Sequence, residues 1–193
     1  MLATLGVGGA ALFATLNQMG GKLEKLLDSA PELDEGQFAE GAFGRITGVI
    51  GARGTHARVP GLGVPCALYE LVVYRVDHNG GGGWRVVHRE LVGGEVEVAV
   101  GNTVVRVAPR ELYLVRAPSH DANTDLRARP ARGPHQSRVR YVPVGATVQL
   151  VGTLTREVDA DPAAQRDYRE IATRYRLVGK RRQPVVLAAN EDG

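Results

Sequence analysis

A ten-residue phrase occurs twice in this chain. It runs from Gly41-Ala42 to Ile46-Thr47-Gly48-Val49-Ile50, and again, about 100 residues later, from Gly145-Ala146 to Leu150-Val151-Gly152-Thr153-Leu154. Each copy opens on a turn glycine, continues with alternating apolar positions and sets a second glycine seven residues after the first. A glycine at an inward strand position marks a kink, a bulge or a close approach of another backbone. Two such strands predict a mainly β fold, a curved antiparallel sheet or β-barrel-like domain with an internal strand repeat, preceded by an N-terminal helix. At 193 residues the chain can enclose one substantial core. The reading divides it into an N-terminal helical segment, residues 1–31, and a β domain, residues 32–190, with an exposed basic loop at 117–138.

Patterning fills in the β domain. Cys66–Val76 is a β-prone run apolar on both faces, which suits a central strand. Asn79–Gly83 is a flexible connection to a second long strand starting at Trp84, and Gly101-Asn102 is a two-residue hairpin turn between Glu95–Val100 and Thr103–Val107. Leu112–Val115, Ile171–Val178 and Pro184–Ala188 are further strands, and Pro162–Asp167 is compatible with a helix. The expected total is about nine strands.

Charge is distributed unevenly. Lys22–Glu40 carries two lysines against six carboxylates, whereas Val104–Arg140 carries eight arginines against three. A polarised surface follows. The arginines Arg127, Arg129, Arg132, Arg138 and Arg140 are the candidate electrostatic contacts, either for nucleic-acid phosphates or for an acidic partner or anionic head groups. The loop itself lacks the aromatic platforms that single-strand binders use, and Tyr141 stands only at its edge.

The N-terminus is apolar. Met1–Gly21 has no charged side chain, and Gly6, Ala10 and Ala14 recur every four residues as a stripe that lets helices approach closely. Met1–Leu16 reads as a membrane anchor or as a helix packing on protein, and no basic region marks it as a cleaved signal. Gly6-Val7-Gly8-Gly9-Ala10-Ala11 matches a loose dinucleotide fingerprint but has no strand ahead of it. Lys22–Leu27 follows as a short amphipathic helix with Leu23, Leu26 and Leu27 on one face.

Catalytic chemistry is weakly signalled. Ser119-His120-Asp121 sets three triad residue types side by side, whereas a working triad converges from separate segments. The five histidines form no ligand pair, and Asp159 and Asp161 suit a helix or turn cap, so no metal or other cofactor is expected. Cys66, the single cysteine, is expected to be a buried inert thiol.

The chain also resembles the GIDE domain, known as the beside-a-membrane or BAM domain. The residues carrying the resemblance are Leu27-Asp28-Ser29-Ala30-Pro31, Glu40-Gly41 with Gly44 and Gly48, Pro60-Gly61 to Pro65-Cys66 with Tyr69, Trp84, Gly94-Glu95-Val96-Glu97-Val98, and Val144-Gly145 to Val151-Gly152. The resemblance implies a β-rich domain held next to a membrane by flanking helices. It does not imply ubiquitin ligation, which belongs to a zinc-binding RING module that one cysteine cannot build. The resulting expectation is a non-enzymatic scaffold or interaction module, bacterial, cytoplasmic or associated with the cytoplasmic membrane. Its expected partners are proteins, a membrane reached through Met1–Leu16, or further copies of the chain. A nucleic-acid-binding barrel is the alternative, and an uncharacterised hydrolase at Ser119, His120 and Asp121 or at Cys66 ranks last.

Overall fold

The computed structural model describes residues 21–52, 56–76, 84–121, 135–158, 173–179 and 183–189. Residues 21–29 form a helix, α1. Twelve strands follow among the described residues: β1 (Phe43–Ala52), β2 (Ala57–Arg58), β3 (Pro65–Val76), β4 (Trp84–Gly93), β5 (Val96–Val100), β6 (Thr103–Val107), β7 (Leu112–Arg116), β8 (Ser119–Asp121), β9 (His135–Pro143), β10 (Thr147–Val158), β11 (Thr173–Val178) and β12 (Val185–Ala189).

The two copies of the repeated phrase are β1 and β10, and they pair with each other. The strands run antiparallel with Ile46 opposite Leu150, which hold the same place in the two copies, while Gly44 faces Gly152 and Gly48 faces Val148. The ends close symmetrically. Gly41 N–H donates to Leu154 O at 2.8 Å and Gly145 N–H donates to Ile50 O at 2.8 Å. Leu154 N–H returns to Ala42 O at 2.8 Å, and Ile50 N–H returns to Ala146 O at 3.0 Å. A local two-fold axis therefore passes between Ile46 and Leu150. The leading glycines take matching left-handed conformations, φ 81° at Gly41 and 85° at Gly145, which L side chains adopt only with strain.

This pair is one seam of a closed barrel. Around it the order is β1-β5-β6-β11-β10 and back to β1, with β6 and β11 parallel and the other seams antiparallel. A five-stranded Greek-key barrel of the OB type results. The interior is filled by Ile46, Ile50, Val96, Val98, Val105, Val107, Val148, Leu150, Leu154 and Leu177, all buried at alternating positions. Gly48 and Gly152 also point inward. A methyl on Gly48 would collide with the Ala99 carbonyl oxygen, and one on Gly152 would lie 2.8 Å from Leu177 Cγ. Absent side chains thus let the curved strands draw together.

The other described elements are inserted into this barrel or packed on it. The segment between β1 and β5 supplies β2, β3 and β4, and the segment between β6 and β10 supplies β7, β8 and β9. These two insertions meet along β3–β9, building a second, curled sheet in which β3 lies between β9 on one edge and β2 and β4 on the other. β12 pairs with β10 and, in parallel, with β7, extending the barrel wall. All five of its residues are buried, because Val185, Leu187 and Ala189 face the core while Val186 and Ala188 lie under α1. Leu23 and Leu27 of α1 complete that outer layer with Ala30 and Val151.

The mainly β fold, the two repeated strands, the central strand and the Gly101-Asn102 turn occur as the sequence reading expects, and of its two architectures, curved sheet or barrel, the repeated strands build the barrel. The reading undercounted the strands, and its basic loop at 117–138 overlaps two of them. Ser119–Asp121 is β8, and β9 begins at His135, so Arg138 and Arg140 are strand residues. Alternating charged and apolar residues on β9 disguised it as a solvated loop. Residues 1–20, Asn79–Gly83, Arg127, Arg129, Arg132 and the helix-compatible Pro162–Asp167 lie outside the described residues.

Candidate functional site

The second sheet contains a buried carboxylate. Glu70 sits in the middle of β3, 1% exposed, among residues that are otherwise apolar. Strand register supplies its partners. Arg140 of β9 lies directly opposite, and Arg89 of β4 lies diagonally across on the same face, since it pairs with Val72. Arg140 Nε donates to Glu70 Oε2 at 2.7 Å and its Nη2 donates to the same oxygen, while Arg89 donates to Oε1. Both carboxylate oxygens are thereby satisfied. Breaking a buried ion pair of this kind by removing one partner costs about 3–5 kcal/mol, because a charge is left in low dielectric.

The two guanidiniums exceed the single carboxylate by one charge. Arg89 offsets part of that excess by lying 3.8 Å above the Tyr113 ring of β7, a cation–π contact. Arg140, whose side chain is 24% exposed, reaches a groove of about 200 Å³ between α1, β7 and the β3–β9 face. Glu24, Val72, Tyr74, Tyr113, Arg138 and Arg140 are among the groove's walls. Arg138 stands on the same face of β9 as Arg140, half exposed, with Nε 3.5 Å from Asp121 Oδ1.

The structure therefore brings together two of the five arginines selected from sequence, and it gives each a carboxylate partner. Three other members of the site, Glu70, Arg89 and Glu24, had no place in the sequence reading. Glu70 carried a signal: it is the lone charge within the run Cys66–Tyr74, and a carboxylate in a strand apolar on both faces requires a buried cation. The sheet register that identifies those cations has no trace in local sequence.

The other chemical candidates are dispersed. In β8, strand alternation puts His120 on the opposite face from Ser119 and Asp121. The imidazole Nε2 lies 3.0 Å from Pro60 O, its ring is edge-on to Tyr141 at 6.2 Å between centroids, and Asp121 serves Arg138. Cys66 is fully buried with Sγ–H donating to Ala57 O at 3.5 Å, and burial pushes its thiol up to about 11. Among the described residues no group of His, Cys, Asp and Glu is placed to hold a metal ion, and no helix is long and apolar enough to cross a membrane.

The outer face of barrel strands β5 and β6 presents Glu97, Ala99, Val104 and Arg106. OB barrels commonly bind oligonucleotides across this face. Here Arg106 Nε donates to Glu97 Oε1 at 3.0 Å, and those four positions include no aromatic ring.

Comparison with known proteins returned no match: no family model fits the chain, no curated protein is similar to it, and no solved structure matches its fold.

Proposed function

We propose that this chain is a non-enzymatic interaction module that positions protein partners beside a membrane, on the cytoplasmic side of a bacterial cell. The observation that carries the reading is the docking of α1. Leu23 and Leu27 are 3% and 0% exposed beneath it, and Arg45 of β1 donates from Nη1 to Leu27 O at 3.2 Å, which ties the last turn to the barrel. The apolar segment Met1–Leu16 lies just ahead of this clamped helix. A segment of that composition, joined to a rigid body without a long linker, would hold the barrel at a fixed distance from whatever it enters. The GIDE resemblance supports the same reading.

The test is flotation with phosphatidylcholine liposomes, comparing the full chain with a variant lacking residues 2–20. The full chain is expected in the lipid fraction, and the deletion variant in the soluble fraction with an unchanged circular dichroism spectrum. Equal partitioning of the two proteins overturns the membrane part of the proposal. For the partner role, native co-purification with and without detergent should recover the same associated proteins in stoichiometric amount.

A further inference from the structure

The groove beside the Arg89–Glu70–Arg140 cluster has the chemistry of an anion site. Its charge balance is set from below, because Glu70 neutralises only one of the two guanidiniums that hold it, and of these Arg140 faces the groove. Its geometry is set by β9, on which Arg138 and Arg140 share a face about 7 Å apart along the strand. The rings of Tyr74 and Tyr113 and the side chain of Val72 complete a partly apolar floor. Two planar guanidiniums on one face match the several oxygens of a tetrahedral oxyanion better than the two of a carboxylate.

We propose that this groove binds a phosphate group, either free or esterified on a small molecule or lipid head. Opposing charge comes from Asp121, which already engages Arg138, and from Glu24 on the helix wall. Glu24 is exposed and lies in the field of Arg116, which is ion-paired with Asp28 at 2.8 Å. Formally it balances the one remaining positive charge, but it does so from an exposed position where water screens it, so removing its charge should strengthen phosphate binding while removing Arg138 should weaken it.

Calorimetric titration of the full chain with inorganic phosphate at low ionic strength tests the proposal. Saturable binding is expected, weakened about tenfold in Arg138→Gln, which loses charge-assisted hydrogen bonds. In Glu24→Gln the affinity should rise, by about threefold, as a repulsive surface charge is removed. Both positions are exposed, so neither variant threatens the fold. Absence of saturable binding, unchanged affinity in Arg138→Gln, or weaker binding in Glu24→Gln overturns the proposal.

The source of the phosphate is read from phosphatidylcholine vesicles with and without phosphatidic acid. Phosphatidic-acid-dependent binding that is lost in Arg138→Gln and competed by inorganic phosphate assigns the site to a head group. Vesicle binding indifferent to Arg138→Gln, alongside an intact phosphate titration, assigns it to a soluble phosphate. This site stands apart from the N-terminal anchor, since the flotation comparison reads residues 2–20 and the titration reads Arg138 and Glu24.

Discussion

Glu70 is the residue on which the second sheet turns, because its charge is buried and both flanking strands are tied to it. Glu70→Gln should therefore destabilise the protein by about 3–5 kcal/mol in urea unfolding. Replacing all three members with apolar residues of similar volume, Arg89→Met, Glu70→Leu and Arg140→Met, should recover most of that loss. Such a recovery would show that the cluster adds little net stability over apolar packing at the same place. Cys66 gives a second prediction at this scale. Burial raises its thiol from 9.0 to about 11, so between those values the unfolded chain releases a proton that the folded chain retains. Stability is thus intact below pH 9 and falls as pH rises toward 11. The fall should be shallower in Cys66→Ala, and the native thiol should resist an aromatic disulfide reagent until urea exposes it.

At the scale of elements, the β1–β10 pair shows why glycines stand at matching places in the two copies of the phrase. Gly41 and Gly145 serve backbone conformation, with positive φ and open space around them. Gly41→Ala and Gly145→Ala should each cost about 1–2 kcal/mol, by equal amounts if the local two-fold is as drawn. Gly48 and Gly152 serve packing, and here the copies differ. A methyl at Gly48 meets the Ala99 carbonyl oxygen most closely, whereas at Gly152 the nearest atom is Cγ of the buried Leu177 at 2.8 Å, with Val178 O farther off at 3.3 Å. Gly48→Ala should consequently be the more damaging, by about 1–2 kcal/mol, in thermal or urea melts. The hairpin turn follows a related logic: Gly101 has φ 58°, and the Glu35 carboxylate accepts from Thr103 Oγ1 and, at 3.2 Å, from Asn102 N–H, which hold that carboxyl below its ordinary range.

For the whole molecule, the barrel cannot close until strands about 100 residues apart have met, and both insertions must pair along β3–β9. Helix α1 then seals the outer face of β10, β12 and β7. Leu27→Ala should cost about 2–5 kcal/mol, since its side chain is fully buried at that seam. Hydrogen exchange should show the loss concentrated in residues 21–29 and in the amides of β12. The groove also belongs to this scale: its walls come from α1, β3, β7 and β9, and none of those elements forms it alone.

What the sequence by itself determined was the kind of structure: the spacing of apolar residues set most strands, and glycines in duplicate positions announced a curved sheet or barrel. Those signals are local, so they were readable along the chain. Tertiary structure alone decided which strands became neighbours. Arg138 and Arg140 read as members of a solvated basic loop, yet β9 pairs with β3 and turns Arg140 onto Glu70. The physical reason is that a residue's partner across a sheet is fixed by register between distant segments, and its charge is free or committed according to what that register places opposite it.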